Sequence, residues 1–254
     1  MSDPFPRDDA IRVVPLHSQA ELAALIGDSP AAAPTQLTYR GGPLLTAVEV
    51  FTVFWGVAWR SNETLVSDVN AFFSDILASE LIDQLGEYSV PAYAIGHGSF
   101  VGTLTVTSPV PTTATSDAAI QGFLQDQIAS GAIPQAAANV LYFVYLPPGV
   151  AVSQGGGRSC QAFCGYHSDV GERIFYAVMP YPGCSGCIGN METVDALTST
   201  SSHELCEAIT DPVPGSGWYD DVHGEIGDIC AWRTKTVAGH VVQLEWSNAA
   251  GACV

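Results

Sequence analysis

The sequence predicts a mixed α/β (α+β) fold in a single domain, with helices packed on a mixed sheet, and three observations carry that expectation. From residue 48 onward, runs rich in β-branched and aromatic residues alternate with segments of helical period. Hydrophobic residues make up 47% of the 254 and charged residues 13%, a balance that suits a packed core and not a disordered chain. The most apolar run, Pro43 to Trp59, contains Glu49 and alternates like a strand, so it does not read as a membrane-spanning helix.

Taken in order, residues 1–36 read as an N-terminal extension, with a helical stretch near Ala20–Ile26 and an Ala/Pro linker at Ala31–Pro34. Residues 37–254 form the main domain. Val48–Trp59 is a buried strand. Ser61 or Asn62 then caps a helix whose Leu65, Val66, Val69, Phe72, Phe73, Ile76, Leu77 and Leu81 recur at helical spacing. Phe100–Thr107 alternates as a strand until Pro109 and Pro111. Ser116 and Asp117 open a second helix (Ile120, Phe123, Leu124, Ile128) that ends at Gly131. Val140–Leu146 is a strand closed by Pro147-Pro148-Gly149, and after a Gly- and Cys-containing loop Arg173–Met179 is another. A helix from about Met191 to Thr210 is stopped by Asp211-Pro212, because proline disfavours helix at the residue before it. His240–Trp246 is a last strand.

Net charge is −18, with one lysine (Lys235) and seven arginines. Such a field repels polyanions, so nucleic acid and anionic membrane are not expected partners. The start, Met1-Ser-Asp-Pro-Phe-Pro-Arg-Asp-Asp, lacks the apolar core of a signal peptide. Seven cysteines lie at 160, 164, 184, 187, 206, 230 and 253. Their clustering among Gly and Pro favours disulfides and an oxidising compartment, with structural zinc held by Cys-x3-Cys and Cys-x2-Cys as the alternative.

The chemistry-bearing segment is Ser-Ser-His203-Glu204-Leu205-Cys206-Glu207-Ala208-Ile209-Thr210-Asp211-Pro212. On a helix His203 and Glu207 project from one face a turn apart, so both can reach one cation, as the two histidines of His-Glu-x-x-His zinc proteases do. Here Glu stands where that motif has its second His. Glu204 is placed as a general base toward a metal-bound water. Glu225 follows Glu207 by 18 residues, close to the separation of the third, glutamate, ligand in gluzincin-type proteases. Asp228 is expected to accept from the second nitrogen of His203, or to join the ligands. Tyr219, Tyr166, His167 and His223 are the candidate oxyanion donors, with His167 also a candidate ligand. A Cys206–Cys230 bridge would tie the helix to the Glu225 loop. Zinc is the expected ion, with a structural Ca2+ admitted beside it.

Two other readings are set aside. Gly155-Gly-Gly157 lacks the lysine and Ser/Thr of a phosphate loop, and no Gly-x-Ser-x-Gly elbow precedes the helix.

At these residues the chain resembles the EXORDIUM (phosphate-induced protein) family of secreted plant proteins and their microbial relatives. Four segments carry the likeness: Tyr39-Arg-Gly-Gly-Pro-Leu-Leu-Thr46 leading into Val48–Trp59; Cys160-x3-Cys164-Gly-Tyr-His167; His203-Glu204-Leu205 with Glu207 and Asp211-Pro212; and Trp218-Tyr219 followed by Glu225-Ile-Gly-Asp228-x-Cys230. The resemblance covers about residues 36–250 and implies an extracellular protein with disulfides, while Cys206 and the missing signal peptide depart from it. The expectation is thus a zincin-like core and a secreted, monomeric, zinc-dependent endopeptidase acting on a protein or peptide substrate. The alternative is a non-catalytic protein that binds a cell-wall polymer or partner and holds a structural ion.

Overall fold

The computed structural model describes residues 35–254, so the expected helical stretch and linker of the N-terminal extension lie outside the described residues. The central element is a five-stranded sheet built from β1 (Glu49–Trp55), β2 (Ser99–Val106), β3 (Val140–Tyr145), β4 (Tyr166–Val170) and β5 (Ile174–Met179). Their order across the sheet is β2-β1-β3-β5-β4. The first four in that order run parallel, and β4 pairs antiparallel with β5 at the edge.

Four helices cover the two faces: α1 (Glu63–Ile76), α2 (Glu80–Leu85), α3 (Asp117–Ala129) and α4 (Thr193–Thr210). Because successive strand residues point to opposite faces, each buried strand supplies two cores. Val50, Phe54, Phe143, Tyr145, Phe175, Ala177 and Met179 pack on the side of α1, α2 and α4. Phe51, Val53, Trp55, Tyr142, Val144, Tyr176 and Val178 pack on the side of α3. The mixed α/β class expected from the sequence is what residues 35–254 adopt, in one compact domain.

The local departures have physical reasons. The helix expected to reach Leu81 is two helices. α1 ends at Ile76, the Leu77 carbonyl accepts from Gly98 N (2.8 Å), and Ser79 caps α2 by accepting from Leu81 N (3.2 Å). Asn62 precedes α1 but makes no capping bond, its amide donating instead to Ala58 O (2.9 Å). Ser116 does cap α3, accepting from Ala119 N. The expected strand 240–246 breaks after Gln243; His240–Gln243 pairs with Thr234–Val237, and Trp246–Ser247 pairs with Ala252–Cys253.

Three disulfides form, Cys160–Cys184, Cys164–Cys187 and Cys230–Cys253, and Cys206 is free and buried. This corrects the expected Cys206–Cys230 bridge: Cys206 faces the apolar core from α4, and Cys230 finds its partner on the C-terminal strand. It also removes the zinc alternative, since Cys160, Cys164, Cys184 and Cys187 are consumed as two bridges. Three disulfides fit an oxidising compartment. No helix among the described residues is long and apolar enough to cross a membrane.

Candidate metal centre

α4 is an unusual helix: every residue from Ala196 to Thr210 is buried. A helix buried all round in a soluble domain must satisfy its polar groups internally. Here Thr198 Oγ1 donates to Val241 O (2.8 Å), Ser202 Oγ accepts from Gln243 N (2.9 Å), and Ser201 Oγ meets Tyr145 OH (2.8 Å). The small Ser and Thr side chains let the sheet and the 240–243 strand approach closely. His203, Glu204 and Glu207 therefore line the interior, 0%, 0% and 1% exposed, and are not a solvated acidic face.

The expected i,i+4 relation holds, with His203 Nε2 3.0 Å from Glu207 Oε1. α4 ends at Asp211, whose carboxylate accepts from the backbone N–H groups of Gly215 (2.6 Å), Ser216 (3.0 Å) and Gly217 (2.6 Å). This turn brings the chain straight back along the end of the helix.

The edge strand β4 delivers the second imidazole. Alternation sends Tyr166 to the α3 side, where its hydroxyl donates to Asp117 Oδ1 (2.8 Å), so Tyr166 is excluded as an oxyanion donor beside the helix. His167 points the other way. Its Nδ1 is 3.1 Å from Glu204 Oε2 and 3.4 Å from Glu207 Oε2, and its Nε2 is 3.1 Å from the Asp211 carbonyl and 3.4 Å from Glu225 Oε1. Gly165 makes the approach feasible: a Cβ there would stand 2.7 Å from Thr200 Cγ2 and 3.2 Å from Glu204 Oε1.

The 225–230 loop closes the cluster from the third side. Glu225 is 0% exposed and falls beside His167 and Glu207. Asp228 has a different role from the one expected. Its backbone N–H donates to Glu207 Oε1 (3.2 Å) and its carboxylate accepts from Glu225 N (3.2 Å). His203 Nδ1 has no hydrogen-bond partner, so Asp228 does not orient that ring. Gly227 lies against it instead, at a distance where an added Cβ would be 2.7 Å from Nδ1.

Five carboxylates (Glu204, Glu207, Asp211, Glu225, Glu245) and two imidazoles are thus buried in one region. Both nitrogens of His203, both oxygens of Glu225, both of Glu245 and Glu204 Oε1 lack hydrogen-bond partners. Orphaned buried groups of this kind cost roughly 1–3 kcal/mol each unless something else satisfies them. A cation would. Two sets of donors converge within 4.8 Å of one another, His203 with Glu204 and Glu207, and His167 with Glu207 and Glu225. Imidazole nitrogen and carboxylate oxygen suit zinc and related divalent ions. Of the expected ligands, Glu207 belongs to both sets, His203 to one and Glu225 to the other; Asp228 belongs to neither.

Without a cation, the cluster shares protons. Burial would push both imidazoles down, but Glu225 beside His167 and Glu207 beside His203 overcome it and hold both well above their ordinary range. Glu207 resists its own burial through His203 and is drawn down to about 2. Burial raises Glu204, and raises Glu225 and Glu245 well above the usual carboxylate range.

The remaining candidates, Tyr219 and His223, and the other histidines stand elsewhere or act on other partners. Tyr219 is in a two-residue strand opposite Thr38, with the Arg40 guanidinium 4.3 Å from its ring centre. His223 bonds Asp220 Oδ1 (2.8 Å). His97 meets Asp83 and His240 meets Asp75 at the surface; His17 lies outside the described residues. Sequence reasoning missed Glu245, a lone acid at the end of the apolar His-Val-Val-Gln-Leu-Glu run, whose position in an alternating stretch was the available signal. Neither a protein-family model nor a curated protein matches the chain.

Proposed function

We propose that the protein is a secreted, zinc-dependent endopeptidase, with EXORDIUM-like proteins as its relatives and a zincin-like arrangement of helix and edge strand. The observation that carries this reading is the convergence of His203, Glu204 and Glu207 from α4, His167 from β4 and Glu225 from the 225–230 loop, with five of their nitrogen and oxygen atoms buried and without a hydrogen bond. His203, His167, Glu207 and Glu225 are the donors. When bound, the ion lowers the pKa of water to about 7 and polarises a carbonyl. Glu204 is the general base: its Oε2 lies 3.1 Å from His167 Nδ1, and its Oε1, which has no hydrogen-bond partner, is the atom to take a proton from the attacking water. The three disulfides and the excess of acidic residues suit an extracellular protein.

A second reading is a non-catalytic extracellular protein, binding a cell-wall polymer or partner, in which the ion is structural. The complete burial of His203, Glu204 and Glu225, each 0% exposed, favours it, because a closed site leaves no position for substrate. One experiment separates the two. Purified protein is assayed for zinc by elemental analysis and for casein digestion with and without chelator, beside Glu204→Gln. Chelator-sensitive digestion that disappears in Glu204→Gln while zinc stays bound supports the peptidase. A bound metal without digestion supports the structural ion, and the absence of any bound divalent metal removes both.

A further inference from the structure

We propose that the centre holds two divalent cations bridged by the Glu207 carboxylate. This rests on the metal-centre reading above and extends it.

Glu207 is the only residue shared by the two converging donor sets among the described residues. Its two oxygens face different imidazoles: Oε1 is 3.0 Å from His203 Nε2, and Oε2 is 3.4 Å from His167 Nδ1. A carboxylate with one oxygen turned to each of two donor sets is the geometry of a bridging ligand, and two-metal hydrolytic sites hold their ions roughly 3.5–4 Å apart. Each set has its own terminal donor with unpartnered atoms. On one side His203 Nδ1 has no hydrogen-bond partner and Nε2 has only its 3.0 Å contact with Glu207; on the other, Glu225 Oε2 has no hydrogen-bond partner and Oε1 has only its 3.4 Å contact with His167. His203 and Glu225 are each 0% exposed, so water outside the protein satisfies neither.

Protons and cations compete to balance the five buried carboxylates, and metal counting distinguishes the two. Glu204 lies among the His203-side donors, and its Oε1 has no hydrogen-bond partner.

The test is metal stoichiometry of the whole chain, first stripped with chelator and then reloaded with Zn2+ or Co2+ and desalted. About two ions per chain are expected. His203→Ala and His167→Ala should each retain about one, and Glu207→Gln should fall below one. Co2+-loaded wild type should show a weakened paramagnetic signal per cobalt relative to either histidine variant, because a carboxylate bridge couples the two ions. A wild-type value near one, with full paramagnetism per cobalt, overturns the bridged pair and leaves the single-ion reading standing. A wild-type value near zero overturns both. The wild-type measurements need no variant to fold.

Discussion

Glu207 Oε1 lies 3.0 Å from His203 Nε2, one helical turn away on a helix that has no solvent-facing side over this stretch. Two groups with opposite preferences for a proton are held at contact distance in a region that water does not reach. Burial opposes the charge on each, and the pair overcomes it together, which is why the imidazole is raised and the carboxylate is drawn down to about 2.

Removing metal should therefore destabilise the protein measurably. An ion present at 100 times its dissociation constant contributes about 2.7 kcal/mol. For a domain of this size each kcal/mol moves the midpoint by roughly 2–4 °C. Calorimetry with and without chelator should show a fall of about 5–10 °C that is restored by Zn2+. An unchanged midpoint would mean that the cluster holds no ion in the folded chain.

Gly227 is required for packing, not for its backbone conformation. Its φ is −80°, open to any residue, yet an added Cβ would stand 2.7 Å from His203 Nδ1 and 2.9 Å from the neighbouring ring carbons. Gly227→Ala should cost about 1–3 kcal/mol through overpacking and push the ring away from Glu207. Thermal denaturation and zinc content should fall together. Stability lost with zinc content intact would show that the ring has not moved.

Part of this centre was legible in the sequence. The 3.6-residue period placed His203 and Glu207 on one face, and the Asp-Pro pair gave the end of the helix. β4 was not legible, because Tyr166-His-Ser-Asp-Val alternates a polar face toward α4, and a polar face in a Gly- and Cys-rich stretch reads as loop. The burial of the acids was also hidden. Acidic residues on a helix ordinarily face water, and only the close approach of the sheet, Gly165 and the 240–243 strand encloses them. Disulfide partners depend on distance in space, and the expected Cys206–Cys230 bridge, which would have tied the helix to the Glu225 loop, is one that the fold does not bring together.

Cys206 supplies a direct check on that pairing. It is 0% exposed, and burial, with Glu245 nearby, pushes its thiol well above the ordinary range. In the folded, unreduced protein a thiol reagent should label no cysteine between residues 35 and 254. In denaturant it should label one, which peptide mapping should place at Cys206. Labelling at Cys230 or Cys253 would contradict the third bridge.

That third bridge also holds the Glu225 loop. Cys230 follows the loop directly and is joined to Cys253, 23 residues on. Closing a loop of that length is worth about 3 kcal/mol in the chain-entropy account. The double variant Cys230→Ser, Cys253→Ser should unfold at a lower temperature and bind Zn2+ more weakly, since Gly227 and Asp228 N–H are then less firmly held against His203 and Glu207. Weakened folding with unaltered zinc affinity in calorimetric titration would separate the bridge from the centre.

The pH dependence follows from the signs of the shifts. His167 and His203 are raised in the folded, metal-free chain, so the stability they contribute is complete below the unfolded value of about 6.5 and is lost as pH rises through the folded values. Glu204, Glu225 and Glu245 are raised too and act in the same direction. Asp211, pushed to about 6 by burial against its three backbone donors, has already lost its contribution by neutrality. Glu207, lowered to about 2, acts oppositely, stabilising above about 4.5 and losing that contribution as pH falls through 2, outside the neutral range. The chelated protein should therefore melt at a lower temperature at pH 8.5 than at pH 6. Zinc must displace protons from both imidazoles, so its affinity should rise over the same interval, with protons released on binding. The midpoint difference between zinc-loaded and chelated protein should thus widen with pH. Titration calorimetry in buffers of different ionisation enthalpy counts the protons, and binding without proton release would mean that the ion does not sit on His167 or His203.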